Sequence, residues 1–282
     1  MVYPGSIIFL DEFLGSLEKQ TDKDFDLLLV NDGVKELEKK LEGFKLKCQI
    51  KPGSGTPASL RKKNIAWALE SGFDTVIFAD SDDTFEDSRV EISKASVKRN
   101  RFIFNELVLF GEIMPSPKPV LSARFAEGEK VGEKTLLDKN FLGLSNVALS
   151  ADKLADVFSD IPDKITAYDW ALFTKALHRG AQAVFTGKTK TFYRQHSANL
   201  ASLSDLSDEN ISKGVRIKAE HYSAVLALGD NYREYKNRFR NLEKKIGTDP
   251  SFKKNYCDAV RVNAPKNALW WEAYKTEEEL GL

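Results

Sequence analysis

Short apolar runs alternate with helical patterns over the first two hundred residues of the chain. Apolar, β-branched stretches predict strands at 26–30, 45–50 and 75–79, the first of them a buried strand. Apolar residues at helical spacing predict helices at 9–20 and 60–71. This alternation is typical of an α/β domain with a largely parallel sheet.

The middle of the chain continues the pattern with longer strands. The predicted elements are strands at 102–111 and 118–125 joined by a proline-containing turn at 114–117, a short strand within 141–149, a helix at 168–179 closed by Gly180, and a short strand at 183–185 that leads into 191–199. No internal repeat interrupts this order.

The composition changes near residue 205. Residues 205–209 read as a polar, acidic linker, and helical periodicity dominates from residue 211 onward. We therefore predict a domain at 1–204 and a helical C-terminal appendage at 205–282. The pattern at 267–274 predicts an amphipathic helix with the adjacent tryptophans Trp270 and Trp271. Its apolar stripe has two readings, burial on the protein core or peripheral contact with a membrane.

Charge and cysteine content narrow the class of protein. Among 282 residues, Lys plus Arg equals Asp plus Glu at 42 each, so no global field draws the chain to nucleic acid. Cys48 and Cys257 lie far apart and outside any metal-ligand spacing, which fits a reducing compartment. Because the sequence has neither an 18-residue apolar run nor the pattern of a signal peptide, we expect a cytoplasmic protein.

The most informative segment is the acidic cluster that follows the strand at 75–79. Asp80, Asp82 and Asp83 fall within four residues, and like charges this close favour a bound cation. The alternative is a solvated turn in which Asp83 or Thr84 caps the next helix. In open α/β sheets, ligands bind beyond the carboxyl ends of the strands, which is where this cluster is expected.

Five motifs in order resemble the family 2 glycosyltransferases of the GT-A fold, in the form found in bacterial polysaccharide synthesis. They are Val30-Asn-Asp-Gly33, Lys63-Asn64, Asp80-Ser-Asp-Asp83, Tyr168-Asp-Trp170 and Tyr193-Arg-Gln-His196. The resemblance covers residues 3–200. It implies a nucleotide-diphospho-sugar transferase fold, with a Rossmann-like mixed sheet flanked by helices.

The same resemblance implies roles for residues that bind the donor. Asp32 would hold the nucleotide base, Asp80 would face the ribose or the waters of a metal ion, and Asp82 would bind Mn²⁺ or Mg²⁺ on the diphosphate. His196 would reach the diphosphate or the metal, and Arg194 would add positive charge there. An ordinary Asn-Asp-Gly turn and a histidine on a loop are the alternatives for Asp32 and His196.

Two departures from the family pattern affect the remaining roles. Lys63 stands where the family carries arginine, so either Lys63 or Arg61 is the candidate cation for the donor, and a solvated helix face is the alternative for both. Tyr168-Asp169 replaces the usual Glu-Asp pair but keeps the aspartate. The resemblance makes Asp169 the general base that deprotonates the acceptor hydroxyl, and a helix-terminal carboxylate is the alternative.

Family members open with a buried interior strand, whereas this sequence opens at the turn after it, with Val2-Tyr3-Pro4. Loss of an interior strand leaves unpaired N–H and C=O groups on both neighbours, at about 1–3 kcal/mol for each buried group. We therefore expect a late start at Met1, or another segment in the place of that strand.

Taken with the resemblance, the sequence predicts an inverting transferase that moves a sugar from a nucleotide diphosphate sugar to a hydroxyl of a glycan or a lipid-linked acceptor. Peripheral contact at the inner membrane face would go through the C-terminal helices. Nucleotidyl or phosphoryl transfer uses similar carboxylates, although the chain has no Gly-x-x-x-x-Gly-Lys-Ser/Thr loop. A non-catalytic sugar-binding relative is the third hypothesis.

Overall fold

The computed structural model describes residues 1–112, 114–155, 157–196 and 205–282. These residues form two compact units. The first unit combines Met1–Gly132 and Leu142–Lys164 with residues 180–196, and the second combines Glu133–Phe141 and Ile165–Arg179 with residues 205–282. The boundary expected between residues 204 and 205 stays a prediction.

The strands belong to the first unit and are numbered along the chain. They are β1 (Leu27–Asn31), β2 (Cys48–Pro52), β3 (Thr75–Ile77), β4 (Thr84–Phe85), β5 (Phe102–Gly111), β6 (Met114–Pro119), β7 (Lys130–Val131), β8 (Val147–Ser150) and β9 (Ala183–Arg194).

The helices are divided between the two units. They are α1 (Leu10–Glu18), α2 (Leu37–Leu41), α3 (Pro57–Glu70), α4 (Arg89–Asn100), α5 (Ala151–Ala155), α6 (Tyr168–His178), α7 (Asp208–Ala224), α8 (Asp230–Thr248), α9 (Pro250–Asn263) and α10 (Glu277–Leu280). A 3₁₀ helix at Pro4–Phe9 leads into α1.

The described strands of the first unit make a mixed seven-stranded sheet and a separate parallel pair. The sheet has the order β3-β8-β5-β9-β4, with β6 on β5 and β7 on β9, and the pair joins β1 to β2. Within the sheet, β5 and β9 run parallel from Ile103↔Val184 to Phe110↔Arg194. This long pairing carries the end of β9 alongside the end of β5.

Several predicted elements are confirmed with shifted ends. The helix expected from residue 60 begins at Pro57, because Thr56 accepts the N–H of Ser59 as an N-cap and Pro57 takes the first helical position. The short strand predicted at 183–185 is the twelve-residue β9. Because the stretch Thr186–Lys190 is polar, the pattern of apolar residues does not reveal that the strand continues through it.

Two predictions are wrong. The strand predicted at 118–125 is β6 at Met114–Pro119, so the supposed proline turn lies inside a strand. Proline is tolerated there because, among the described strands, β6 pairs only with β5 and is an edge strand. The helix predicted at 267–274 does not form: Trp270 makes an isolated bridge to Asn140, and Trp271 has a φ of 69°.

The apolar core of the first unit collects side chains from its N-terminal segments. Val2, Phe13, Leu14 and Leu29 are all at most 1% exposed, and Phe85 of β4 packs with them. Val2 also pairs in parallel with Asn31: its N–H donates to the Val30 carbonyl, and its carbonyl accepts from the Asp32 N–H, both at 2.8 Å. This single residue therefore extends the β1–β2 pair.

The second unit is built around the buried indole of Trp170. The ring of His221 stacks on it at 3.7 Å, and the indole N–H donates to the Leu136 carbonyl at 2.8 Å. Burial lowers the pKa of His221 well below its usual value, so the imidazole is neutral. One turn earlier on α7, buried Lys218 donates to the Tyr274 carbonyl at 2.6 Å, and burial lowers its pKa to about 7.

We expect Gly214→Ala to destabilise the protein by about 1–3 kcal/mol, as overpacking of a filled core does. A Cβ at this position of α7 would fall 2.6 Å from Cζ of the Tyr274 ring and closer to other ring carbons. Urea unfolding measures the change. Gly247→Ala in α8 is the matched control, because a Cβ there meets nothing within 4 Å and should raise stability by up to about 1 kcal/mol. Equal effects of the two substitutions would contradict the packing described.

Candidate donor and metal site

The acidic segment between β3 and β4 is held by hydrogen bonds to the N-terminal residues. The hydroxyl of buried Ser81 donates to the Met1 carbonyl at 2.8 Å and lies 2.9 Å from Oγ of Ser6. The N–H of Asp83 donates to the Asp80 carbonyl at 3.3 Å, which closes a turn. Asp80 and Asp82 keep partial exposure, while Asp83 is 1% exposed.

Asp83 therefore faces the interior and caps no helix. Thr84–Phe85 is a strand, and the next helix begins at Arg89, so the capping alternative for Asp83 and Thr84 is wrong. The Asp83 carboxylate accepts from the Arg194 N–H at 2.8 Å and from the Ser145 hydroxyl. Burial, followed by the charges of Asp82 and Asp80, raises its pKa well above the usual value.

Arg89 supplies buried positive charge behind the cluster. Its guanidinium donates to the carbonyls of Phe78 at 2.6 Å and Ser145 at 2.8 Å. Burial lowers the pKa of Arg89 to about 9, against the opposing influence of Asp83 and Asp80, so the group is cationic at neutral pH. Nothing in the sequence marks Arg89, which looks there like an ordinary solvated residue in the first turn of a helix.

The end of β9 brings Arg194 and His196 to the acidic segment. Arg194 Nε donates to the Asp82 carbonyl at 2.8 Å, and Nη2 donates to the Glu12 carboxylate at 2.6 Å. His196 Nε2 lies 3.2 Å from Oδ2 of Asp82. The Phe9 ring contacts both side chains. Its centroid lies 5.2 Å from the centroid of the His196 ring and 4.5 Å from the guanidinium carbon of Arg194. Asp82 thus forms one cluster with Arg194 and His196, which lie more than a hundred residues further along the chain.

The other two donor-binding candidates of the first unit lie in different surroundings. Asp32 follows β1 in a turn closed by the Asn31 side chain, which accepts from the Val34 N–H at 2.8 Å. Gly33 takes the left-handed φ of 83° that this turn requires. Lys63 is exposed, and its Nζ donates to the Ser54 carbonyl at 3.2 Å.

Arg61 is the cation of α3 that acts on the acidic cluster. Burial raises the pKa of Asp80, and the charge of Arg61 is the strongest influence that opposes the rise. Arg61 was an alternative to Lys63 in the sequence, and the two lie two residues apart on α3. Two residues along a helix differ by a rotation of about 200°, so Arg61 and Lys63 project from different sides of α3. A match of sequence motifs does not show which of the two sides faces the acidic cluster.

Asp169 belongs to the second unit, in the first turn of α6. Its Oδ1 accepts from the Trp170 N–H at 2.9 Å, and its Oδ2 accepts from Asn140 Nδ2 at 3.1 Å. The positive end of the helix dipole favours the ionised carboxylate. Trp170 itself is fully buried, so its ring is not available to stack on a sugar. Asn140, the residue that orients Asp169, carried no signal in the sequence.

The donor atoms of the first-unit cluster fit a divalent cation shared with phosphate. The described residues contain no group of three or more His, Cys, Asp or Glu side chains arranged to hold a metal. Mg²⁺ and similar ions are commonly bound through one or two carboxylates plus substrate phosphates and water, so a full protein cage is not required. The Asp82 carboxylate, an oxygen ligand that suits Mg²⁺ or Mn²⁺, and the His196 nitrogen 3.2 Å from it are the candidate donor atoms for such an ion.

Solved structures with the same fold are known. S. aureus TarS 1–349 in complex with UDP-GlcNAc superposes with a TM-score of 0.58 at 15% identity, covering 93% of this chain and 74% of that one. A mannosyltransferase, PcManGT from Pyrobaculum calidifontis, in complex with GDP-Man and Mn²⁺, gives 0.57 at 12% identity, covering 95% and 74%.

A longer TarS structure gives a TM-score of 0.57 at 14% identity, and this chain spans only 44% of its length. No family model and no curated protein matches the sequence. These neighbours are glycosyltransferases of GT-A-like fold, and the likeness establishes the fold of this chain. The predicted α/β class with a GT-A-like mixed sheet is thereby confirmed.

We expect Asp83→Asn to flatten the pH dependence of stability. A folded-state pKa raised above the unfolded value means that the wild type gains stability as the pH falls through the raised pKa and loses it as the pH rises. The amide keeps the shape and removes this titration. Thermal melts between pH 4 and 8 measure the effect, with exposed Asp87→Asn as the control. Parallel curves for the wild type and Asp83→Asn would contradict the assignment.

Proposed function

We propose that this chain is an inverting glycosyltransferase that uses a nucleotide diphosphate sugar and a divalent cation. The acceptor would be a hydroxyl of a glycan or a lipid-linked sugar, as in polysaccharide synthesis. The fold supports this proposal, and so do its neighbours, since TarS is recorded with UDP-GlcNAc and PcManGT with GDP-Man and Mn²⁺.

The contact between His196 Nε2 and Asp82 Oδ2 is the observation that carries the proposal. It joins a strand-end carboxylate to a histidine 114 residues away, next to the Arg194 guanidinium. A carboxylate and an imidazole can bind the metal ion of a metal–diphosphate group, and a neighbouring guanidinium can bind its phosphate oxygens. A purely structural cluster has no need of a partly exposed carboxylate such as that of Asp82.

In this proposal, Asp82 and His196 hold the cation, and Asp80 faces the ribose or the waters of the ion. The bound cation supplies stabilisation of the negative charge that develops on the leaving diphosphate. Arg194 adds fixed positive charge on the same side, with Lys63 or Arg61 as the second basic group. Asp32, in the turn after β1, is proposed to bind the nucleotide base.

Asp169 is proposed to take the proton from the acceptor hydroxyl as its oxygen attacks the anomeric carbon. Hydrogen bonds from Asn140 and from the Trp170 N–H orient the carboxylate before the acceptor arrives. The bond from the anomeric carbon to the diphosphate oxygen breaks as the new bond forms on the opposite face, which inverts the configuration.

Peripheral membrane contact through the C-terminal helices has less support in the structure than it had in the sequence. Trp270 and Trp271 are half-buried and lie outside any helix, so they form no apolar stripe. Among the described residues, no helix has both the length and the apolar character needed to cross a membrane. A cytoplasmic enzyme that meets its acceptor at the inner membrane face remains the proposed setting.

We expect UDP or GDP to bind at least tenfold more tightly in Mn²⁺ than in EDTA, because two phosphate charges would otherwise face Asp80 and Asp82. Titration calorimetry measures the ratio. Asp82→Asn should bring the two affinities together, whereas Asp87→Asn, an exposed carboxylate five residues away, should leave the ratio unchanged. Equal affinities for the wild type in both buffers would remove the metal from the mechanism.

Donor turnover without acceptor separates glycosyl transfer from nucleotidyl or phosphoryl transfer. Cleavage at the anomeric carbon of a UDP-sugar releases UDP and free sugar, while cleavage at the α-phosphorus releases UMP and sugar phosphate. Chromatography of the products from a panel of UDP- and GDP-sugars with Mn²⁺ identifies the bond that breaks. Release of UMP would reject the proposal.

We expect Asp169→Asn to keep donor affinity and to lower transfer by about 10²–10⁴, the usual contribution of a general base. The amide retains an acceptor for the Trp170 N–H but cannot take up the hydroxyl proton. Asp230→Asn, in the first turn of α8 and widely exposed, is the matched helix-terminal control. Transfer that survives within a few-fold in Asp169→Asn would make this residue a helix-terminal carboxylate only.

A further inference from the structure

The adjacent tryptophans of the second unit are the two central residues of a tight turn at 269–272, here called the tryptophan turn. The Glu272 N–H donates to the Leu269 carbonyl at 3.1 Å, and the Leu269 N–H donates back to the Glu272 carboxylate at 2.8 Å. Lys139 Nζ lies 3.3 Å from the same carboxylate. The backbone that carries Trp270 and Trp271 is therefore braced on both sides.

Burial in the tryptophan turn goes to the flanking residues and not to the indoles. Leu269, Glu272 and Ala273 are buried, whereas Trp270 and Trp271 are only half-buried. Tryptophan is among the side chains with the most apolar area, so each ring left partly in water forgoes burial that would stabilise the fold. The flanking residues anchor the turn, and its two largest side chains reach the surface.

The backbone of Trp271 adds a second cost. Its φ of 69° lies in the left-handed region, where glycine is favoured and a bulky side chain is an outlier. Residues held in such conformations occur most often at functional sites. A turn whose shape suits glycine, and which instead presents two adjacent indoles at the surface, is a candidate binding surface.

An isolated antiparallel bridge places Trp270 beside the proposed general base. Trp270 pairs with Asn140, whose N–H donates to the Trp270 carbonyl at 2.9 Å. Residues directly opposite each other in an antiparallel pair project their side chains from the same face, with Cβ atoms about 4.5–5.5 Å apart. The Asn140 side chain donates from that face to Asp169 Oδ2 at 3.1 Å. The Trp270 indole therefore stands next to the amide that holds the Asp169 carboxylate.

These groups together fit a pyranose ring. A pyranose carries C–H bonds on its faces, which pack on an indole, and hydroxyls on its rim, which donate to a carboxylate. A sugar stacked on Trp270 would turn its rim toward Asn140 and Asp169. The apolar surface and the proton acceptor would thus meet different parts of one ring.

Two other occupants fit this surface less well. A phosphate group would bring negative charge toward Asp169, and the ammonium of Lys139 beside the turn is already shared between Glu272 at 3.3 Å and Asp138 at 3.0 Å. A lipid chain needs a continuous apolar surface, whereas Asn140 and Lys139 adjoin the indoles. A neutral ring rich in hydroxyls avoids both conflicts.

We propose that the tryptophan turn is the acceptor platform, and that the acceptor is a glycan that ends in a pyranose ring. The ring stacks on Trp270, with Trp271 beside it, and presents one hydroxyl to Asp169. The acceptor role rests on the function proposed above, whereas binding of a pyranose at this turn requires no transfer. The acceptor is thereby narrowed from any hydroxyl to that of a sugar ring.

Saturation-transfer NMR on the full chain tests the platform with methyl glycosides of glucose, galactose, mannose and N-acetylglucosamine, in the presence of UDP and Mn²⁺. We expect at least one glycoside to bind, with the strongest signals from the C–H bonds of one ring face. Trp270→Ala should weaken its binding by about threefold to tenfold, the usual range for loss of an aromatic contact. Phe252→Ala, which removes a half-buried aromatic ring from α9, is the matched control and should leave the affinity unchanged.

Trp270→Phe serves as the second variant, because it keeps an aromatic ring in the turn where Trp270→Ala does not fold. It should weaken binding less than the alanine variant does. It also identifies the indole N–H resonance of Trp270, which should shift when the glycoside is added to the wild type. No binding by any of the four glycosides, or a Trp270 resonance that does not move, would overturn the proposal.

Two further measurements separate the platform from the proposed function and from a membrane contact. Trp270→Ala should keep the affinity for UDP in Mn²⁺, because Asp80 and Asp82 belong to the first unit. Equal glycoside affinity in the wild type and Trp270→Ala would overturn the platform even where glycosyl transfer is confirmed, while UMP release from a UDP-sugar would overturn the acceptor role alone. Phosphatidylglycerol vesicles that sediment the wild type but not Trp270→Ala, without glycoside binding, would assign the indoles to a membrane instead.

Discussion

The structure of the first unit depends on polar groups that are buried together. The Asp83 carboxyl group is removed from water, and its oxygens are satisfied there by the Ser145 hydroxyl and the Arg194 N–H, with the positive charge of Arg89 close by. These partners come from the segment before β8, the end of β9 and the start of α4. The hydrogen bonds of buried Asp83, together with those of Ser81, therefore hold the segment that carries Asp80 and Asp82.

The fold and several site residues could be predicted because they leave local marks. Apolar runs and the position of Asp82 at the end of a strand can be recognised in the sequence alone. The resemblance to known motifs then linked Asp82 with His196. Arg89 and Asn140 left no such mark, since their importance arises from what surrounds them after folding. The prolines of β6 resemble a turn in the sequence because an edge strand tolerates proline and its pairing partner is not known before folding.

The second unit shows how an apolar core can orient a polar group. The Trp170 indole is fixed by the His221 stack and by the bond to the Leu136 carbonyl, and Asp169 is the preceding residue on the same helix. The direction of the carboxylate thus follows from the packing of its neighbour. At 12–15% identity, the solved neighbours show the fold of this chain and not such side-chain contacts.

Lys218 gives the second unit a thermodynamic property that contacts alone do not reveal. Its pKa is about 7 in the folded chain and near 10.5 in a solvated one, so unfolding at pH 8 to 9 takes up a proton from the buffer. The heat measured on unfolding therefore contains the ionisation enthalpy of whichever buffer gives up that proton. Calorimetric enthalpies of this protein in Tris and in phosphate would differ even though the same contacts are broken.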